Sequence, residues 1–130
     1  MRLAALAALA AVSGLTTLSL SASGAYAQPK GEQCFYHQNI ESFAPSDDEK
    51  KIYLKVIGGH VYRLDLEDRC PGLAFRERIV LKQVGSGNIC GPLDLDLHLE
   101  DHGIRIACPI YGLHLLTPEE LTAVPKKERP

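Results

Sequence analysis

Apolar and polar residues alternate with period two over several stretches of the chain, the pattern of half-buried β-strands. In "PLDLDLHLEDHGIRIACPI", Leu93, Leu95, Leu97 and Leu99 alternate with Asp94, Asp96, His98 and Glu100, and Ile104, Ile106, Cys108 and Ile110 resume the alternation. A loop over 100–103 predicts a hairpin in which Leu99 opposes Ile104, Leu97 opposes Ile106, Leu95 opposes Cys108 and Leu93 opposes Ile110. A second hairpin is predicted over "KIYLKVIGGHVYRLDL", from Lys51 to Leu66. With Gly58, Gly59 and His60 as its loop, Val56 faces Tyr62, Leu54 faces Leu64 and Ile52 faces Leu66. A three-residue loop favours Gly at its last position, which His60 would occupy, so the turn chemistry leaves room for a slipped register. Arg78 to Val84 predicts a further strand, followed by a turn over 85–88 and a short return through Ile89 and Cys90. "QCFYHQ" is a candidate first strand, Asn39 to Pro45 an irregular edge strand, and Ser46 to Glu49 a charged turn.

The end of the chain differs in kind. "TPEELTAVP" places Thr117 as a helix N-cap, Pro118 at the first helical position and Glu120 three residues after the cap, so one or two helical turns are expected before Pro125. Residues 125–130 are expected to fray. Short strands joined by Gly-containing turns give the expected fold class: all-β, a small antiparallel sandwich or barrel-like domain with a short C-terminal helix.

The N-terminus changes the picture of where that domain works. Arg2, an Ala- and Leu-rich run and the small-residue exit Ala25-Tyr26-Ala27 form the pattern of a secretory signal peptide over residues 1–27, leaving a single domain over 28–130. Gly31, Glu32 and Gln33 before Cys34 do not make a lipidation box, and no later apolar run is long enough to cross a bilayer. A periplasmic or secreted product with no stable membrane insertion is expected. The formal charge of −2, with Lys and Arg scattered rather than striped, argues against a nucleic-acid partner.

Export makes the four cysteines, Cys34, Cys70, Cys90 and Cys108, a disulfide set, because an oxidising compartment and a short chain both favour cross-links. No Cys-x-x-Cys or close pair occurs, as a redox motif or a zinc site would need. Three connectivities are possible. The strand placements favour Cys70 with Cys90, each at a strand margin, which leaves Cys34, in the candidate first strand, to pair with the inward-pointing Cys108.

Candidate chemistry is sparse. Asp96, His98 and Glu100 share one face of a strand at a spacing that arms of this length can close around a divalent metal ion. The same alternation arises on any strand with one hydrated face, and a flat face lacks the surrounding groups that orient a ligand imidazole. The hydrated face is the preferred expectation. Cofactors are therefore not expected, with a divalent cation at these three residues as the alternative. Ser86 lies in a predicted turn without the five-residue elbow of a hydrolase nucleophile. An acidic pair drawn from Asp94, Asp96, Glu100 and Asp101 supports a small hydrolase only if two carboxylates converge across a cleft. Among the other histidines, His60 and His102 fall in predicted turns, and His114 stands between two leucines.

The segments "CFYHQNIESF", "YRLDLEDRCPGLAF", "ICGPLDLDL" and "IACPIYGLHLLTPEEL" together resemble a family of small exported bacterial proteins classed only as a domain of unknown function. The four cysteines, Leu73 and "LTPEEL" carry the resemblance, which spans about Cys34 to Leu121 and implies no activity. The expected role is a non-enzymatic binding or structural module of the cell envelope, with an unknown protein or peptide partner. Metal binding and hydrolysis are the alternatives.

Overall fold

The computed structural model describes residues 34–75 and 78–130, so the expected leader over 1–27 lies outside the described residues. Seven strands form two antiparallel sheets. Strands β1 (Ile40–Pro45), β2 (Lys51–Val56), β3 (Val61–Leu66) and β7 (Ile110–Leu115) make a four-stranded sheet in the order β1-β2-β3-β7. The second sheet has the order β4-β5-β6, from β4 (Ile79–Gln83), β5 (Leu95–Asp101) and β6 (Ile104–Ala107). The expected all-β class with a short C-terminal helix, α1 (Pro118–Ala123), is thus observed, and the sheets are not closed into a barrel.

The alternating leucines and isoleucines build the shared core. Ile52 and Leu54 of β2, Leu64 of β3, Leu97 and Leu99 of β5, with Leu73 and Ile89 from the loops, belong to one buried cluster. The outer face of the four-stranded sheet is partly dry as well, because Val124 packs with Tyr53 and Val61, and Leu116 and Leu121 join them. That cover explains why Tyr53 is buried although its position alternates with the core residues.

Both central hairpins sit two residues from the expected register. In β2-β3, Leu54 faces Tyr62 and Ile52 faces Leu64. The Val56 amide donates to the His60 carbonyl at 3.0 Å, so the loop is Ile57-Gly58-Gly59, with φ of +97° at Gly58 and +82° at Gly59. Glycine, not His60, therefore takes the last loop position, where a left-handed backbone is needed. In β5-β6, Leu99 faces Ile106 and Asp101 faces Ile104, closing a two-residue turn of His102 (φ +48°) and Gly103 (φ +83°). Two consecutive positive φ values match the strand twist of a tight hairpin. A slip of two preserves which face each side chain occupies, and the expected inner faces of β2, β3 and β5 are buried although the partners change; the expectation is corrected for Ile104 and Ile106 of β6 and for Leu93 before β5, which are exposed. The expected pairing of Leu93 with Ile110 is replaced, since β7 leaves the smaller sheet and pairs with β3, Leu66 facing Ile110.

The expected disulfide connectivity is corrected: Cys34 pairs with Cys90 and Cys70 with Cys108, in place of Cys34 with Cys108 and Cys70 with Cys90. The cause lies in two short segments. Ile89 does not return along β4; it forms an isolated bridge with Phe35, exchanging amide-to-carbonyl bonds of 3.0 and 2.7 Å. The next opposed pair along such a bridge is a narrow one, and Cys34 and Cys90 stand there with α-carbons 4.3 Å apart. The described residues of "QCFYHQ", Cys34 to Gln38, accordingly supply one bridge residue and the start of a 3-10 turn, His37–Asn39, rather than a strand. Cys108 lies between β6 and β7, where the chain changes sheets, and meets Cys70 in the loop after β3 at an α-carbon distance of 5.6 Å.

The C-terminal tail is held rather than frayed. Glu128, in a 3-10 turn over Lys126–Glu128, is buried and accepts the Asp47 amide at 3.2 Å, and Arg129 donates to the carbonyls of Val124 (2.9 Å) and Thr122 (2.7 Å). Lys127 pairs with Asp47. These contacts tie residues 126–129 to α1 and to the turn after β1. The capping box before α1 forms as expected, Glu120 N–H donating to Thr117 Oγ1 at 3.2 Å and Thr117 N–H to Glu120 Oε2 at 2.8 Å.

Candidate functional site

Asp96, His98 and Glu100 do meet on the outer side of β5, but not as a shared chelate. His98 is fully buried, and its ring lies between the two carboxylates, Nδ1 at 3.2 Å from Asp96 Oδ2 and Nε2 at 3.3 Å from Glu100 Oε1. The carboxylates themselves remain about half exposed. Expecting this face to be uniformly hydrated is therefore corrected at its centre: β5 is the middle strand, with Val80 and Ala107 directly opposite His98, and the ring is enclosed while its partners reach water. With each ring nitrogen facing a different oxygen, the three side chains do not converge on one point where a single cation could bind all of them. Among the described residues no group of three or more His, Cys, Asp or Glu is arranged to hold a metal ion.

The other acidic candidates have structural partners. Asp94 Oδ2 accepts the amides of Cys90 (2.8 Å) and Gly91 (2.9 Å), holding the turn that enters β5. Asp101 pairs with Arg78 at 2.9 Å and with the His102 ring. No two of Asp94, Asp96, Glu100 and Asp101 line either of the concave surfaces described here. Ser86 is exposed in the turn after β4. His114 is half exposed and pairs through Nε2 with the buried Asp65 at 3.1 Å, where Arg63 also binds.

Two neighbouring carboxylates have lowered pKa values, and one of them, Glu49, secures the loop that carries Cys70. Glu49 is buried; the Gly72 amide (2.9 Å to Oε1) holds its carboxyl below the usual range, and Arg69 (2.7 Å to Oε2) adds to this. Its own carbonyl accepts the Cys70 amide at 2.9 Å. Asp48, the neighbouring carboxyl, is held down at about 2, chiefly by the Ser46 hydroxyl and further by Lys51. Burial pushes the phenols of Tyr53 and Tyr62 up.

One concave feature among the described residues was not anticipated from any motif. A groove of about 620 Å³ runs between β1 and β4, lined by His37, Ile40, Phe43, Ile79 and Leu81 with Glu41, Ser42 and Val80. Both strands are outer strands of their sheets. The direction of the β4 main chain follows from one bond: Val84 N–H donates to the Asp94 carbonyl on the β5 side at 2.8 Å. Alternation then turns Val80 and Lys82 toward β5, and the amides and carbonyls of Ile79, Leu81 and Gln83 away from it. His37 confirms the direction by donating from Nε2 to the outward Leu81 carbonyl at 3.2 Å. On β1, Pro45 stands at the end of an edge strand, where a missing N–H breaks no ladder bond, and the register shift between Ile40 and Ser42 marks a bulge. The groove thus combines an apolar floor with polar main-chain edges. A second concavity of about 400 Å³, with Cys34 in its wall, is lined by Phe35, Tyr36, Val56, Ile57, Tyr62 and neighbouring residues.

Fold and site define a small disulfide-linked domain of two open antiparallel sheets with an apolar edge groove. The chain belongs to a family of unknown function, DUF6491, whose model matches residues 1–130. No curated protein matches the chain, and no solved structure does.

Proposed function

We propose that this is an exported, non-catalytic binding module of the cell envelope, which takes an extended segment of a protein partner into the groove between β1 and β4. Export is supported by the leader pattern of residues 1–27 and by two disulfides, which persist in oxidising compartments. No helix among the described residues is long and apolar enough to cross a membrane.

The observation that carries the binding role is the placement of the groove between two unpaired sheet edges, over the side chains of Ile40, Phe43, Ile79 and Leu81. An added strand gains main-chain hydrogen bonds from an edge, and alternate side chains of that strand reach the apolar floor. The outward groups of Ile79, Leu81 and Gln83 are the natural partners. A displayed library of ten-residue peptides, selected on the oxidised protein and mapped by amide chemical shifts, tests this. Selected peptides should be extended, apolar at alternate positions, and should shift the amides of 79–83. Gln83→Pro removes an outward N–H without breaking a bond to β5, and should weaken binding about tenfold or more while the domain stays folded. Peptides that map elsewhere, or that bind Gln83→Pro as well as the parent, would refute the groove as the site.

A further inference from the structure

The two disulfides differ in how solvent reaches them and in what they hold. Cys70 and Cys108 are both 3% exposed and belong to the main core cluster. Cys90 is exposed and Cys34 half-buried. The exposed bridge also stands three residues before His37, which lines the groove. From Cys34 the chain runs through Phe35, paired with Ile89, into the turn His37–Asn39, and His37 then spans to the Leu81 carbonyl on β4. One covalent bond therefore anchors the segment whose imidazole occupies an outward acceptor of the edge that a peptide would need.

We propose that the Cys34–Cys90 disulfide is a reducible latch on the groove, opened by a dithiol reductant while Cys70–Cys108 stays closed. This rests on the groove as a binding site. In the opening step a donor thiolate attacks Sγ of the accessible Cys90, the S–S bond breaks, and Cys34 leaves as a thiolate that takes up a proton. The second donor thiol resolves the mixed disulfide, so Cys34 and Cys90 end as thiols and the donor, having given two electrons, as a disulfide. What then holds residues 34–39 is noncovalent and includes the Phe35 ring, 4.5 Å from that of Tyr62, two hydrogen bonds to Ile89, the Ile57 amide donating to the Asn39 carbonyl at 2.8 Å, and the His37 bond. Withdrawal of His37 frees the Leu81 carbonyl, and the β4 edge can accept a strand along its length.

The test titrates the full exported protein with dithiothreitol, traps thiols with iodoacetamide and locates them by mass spectrometry, with amide exchange followed on the partly reduced species. Cys34 and Cys90 should be alkylated first, over a range of reductant in which Cys70 and Cys108 remain joined. Exchange at Phe35, Asn39 and Ile89 should accelerate at least tenfold, with β2 and β3 unchanged. Cys34→Ala/Cys90→Ala should show the same exchange without reductant and no response to it. A peptide selected on the groove should bind at least fivefold more tightly once the latch is open, and His37→Ala should remove most of that gain by uncovering Leu81 in the oxidised form. Labelling of Cys70 and Cys108 at equal or lower reductant, or exchange at Phe35 and Ile89 unchanged within twofold, overturns the latch. Fast exchange with no peptide binding in either redox form would instead overturn the groove, and with it the latch's role in binding.

Discussion

Removing the two disulfides one at a time sets loop length against burial. In the chain-entropy account a cross-link destabilises the unfolded chain by an amount that grows with the logarithm of the loop it closes. The loops here span 56 residues for Cys34–Cys90 and 38 for Cys70–Cys108. Each bridge is then worth about 4 kcal/mol, the longer by only about 0.3 kcal/mol. Burial acts the other way and more strongly. Replacing Cys70 and Cys108 by Ala removes two sulfurs from the close-packed core, at a further cost of about 1 kcal/mol each. The exposed side of the other bridge carries little of that penalty. Cys70→Ala/Cys108→Ala should therefore lose about 6 kcal/mol and Cys34→Ala/Cys90→Ala about 4 kcal/mol. At roughly 4–8 °C per kcal/mol for a domain of this size, the two variants should melt about 10 °C apart. Urea unfolding of both, with m-values compared to confirm a common unfolded state, measures the difference. If Cys34→Ala/Cys90→Ala is the less stable variant, burial does not decide the order.

Other expectations concern single contacts. Asp48 and Glu49 have folded-state pKa values below their ordinary ones, so their stabilisation is complete above about pH 5 and fades as acid protonates them, through to about pH 2 for Asp48. Urea midpoints should fall between pH 5 and pH 2.5, and Glu49→Gln should flatten that fall; an unchanged slope would show that Glu49 does not contribute. His98→Leu should change stability by no more than about 1 kcal/mol, because Asp96 and Glu100 are half exposed and can hydrate once the ring is gone; a loss above about 2 kcal/mol in thermal melts would show that the ring is essential to packing. Thr117→Ala should cost α1 about 1 kcal/mol, read as exchange of the Leu121 amide about fivefold faster, with no change at that amide counting against the cap. Deleting residues 126–130 should expose α1 to proteolysis, since Glu128 and Arg129 fasten it to the sheet; an unaltered cleavage pattern would argue that these bonds hold nothing.

What could be read along the chain was what adjacent residues decide among themselves. Period-two alternation assigned the inward faces of β2, β3 and β5, and a register slip of two leaves those faces in place, whereas the alternation of Ile104 and Ile106 in β6 does not lead to burial. Thr117, Pro118 and Glu120 define α1 because a capping box closes within four residues. Even the preferred turn residue was legible, since only glycine suits the last position of the β2-β3 loop, and the observed register satisfies it at Gly59.

Long-range pairing was decided only in three dimensions. Nothing near Ile89 in sequence says that Phe35 will be its partner, yet that one bridge chooses Cys90 for Cys34 and leaves Cys70 to Cys108. The burial of His98 between two half-exposed carboxylates on the same face of β5 is not encoded in the strand's own alternation. The groove depends on two outer strands, β1 and β4, that meet through the arrangement of separate sheets, and His37 belongs to it by reaching a carbonyl 44 residues away. The physical reason is common to all three: local pattern assigns a side chain to a face, while packing between sheets selects which faces, edges and sulfurs come together.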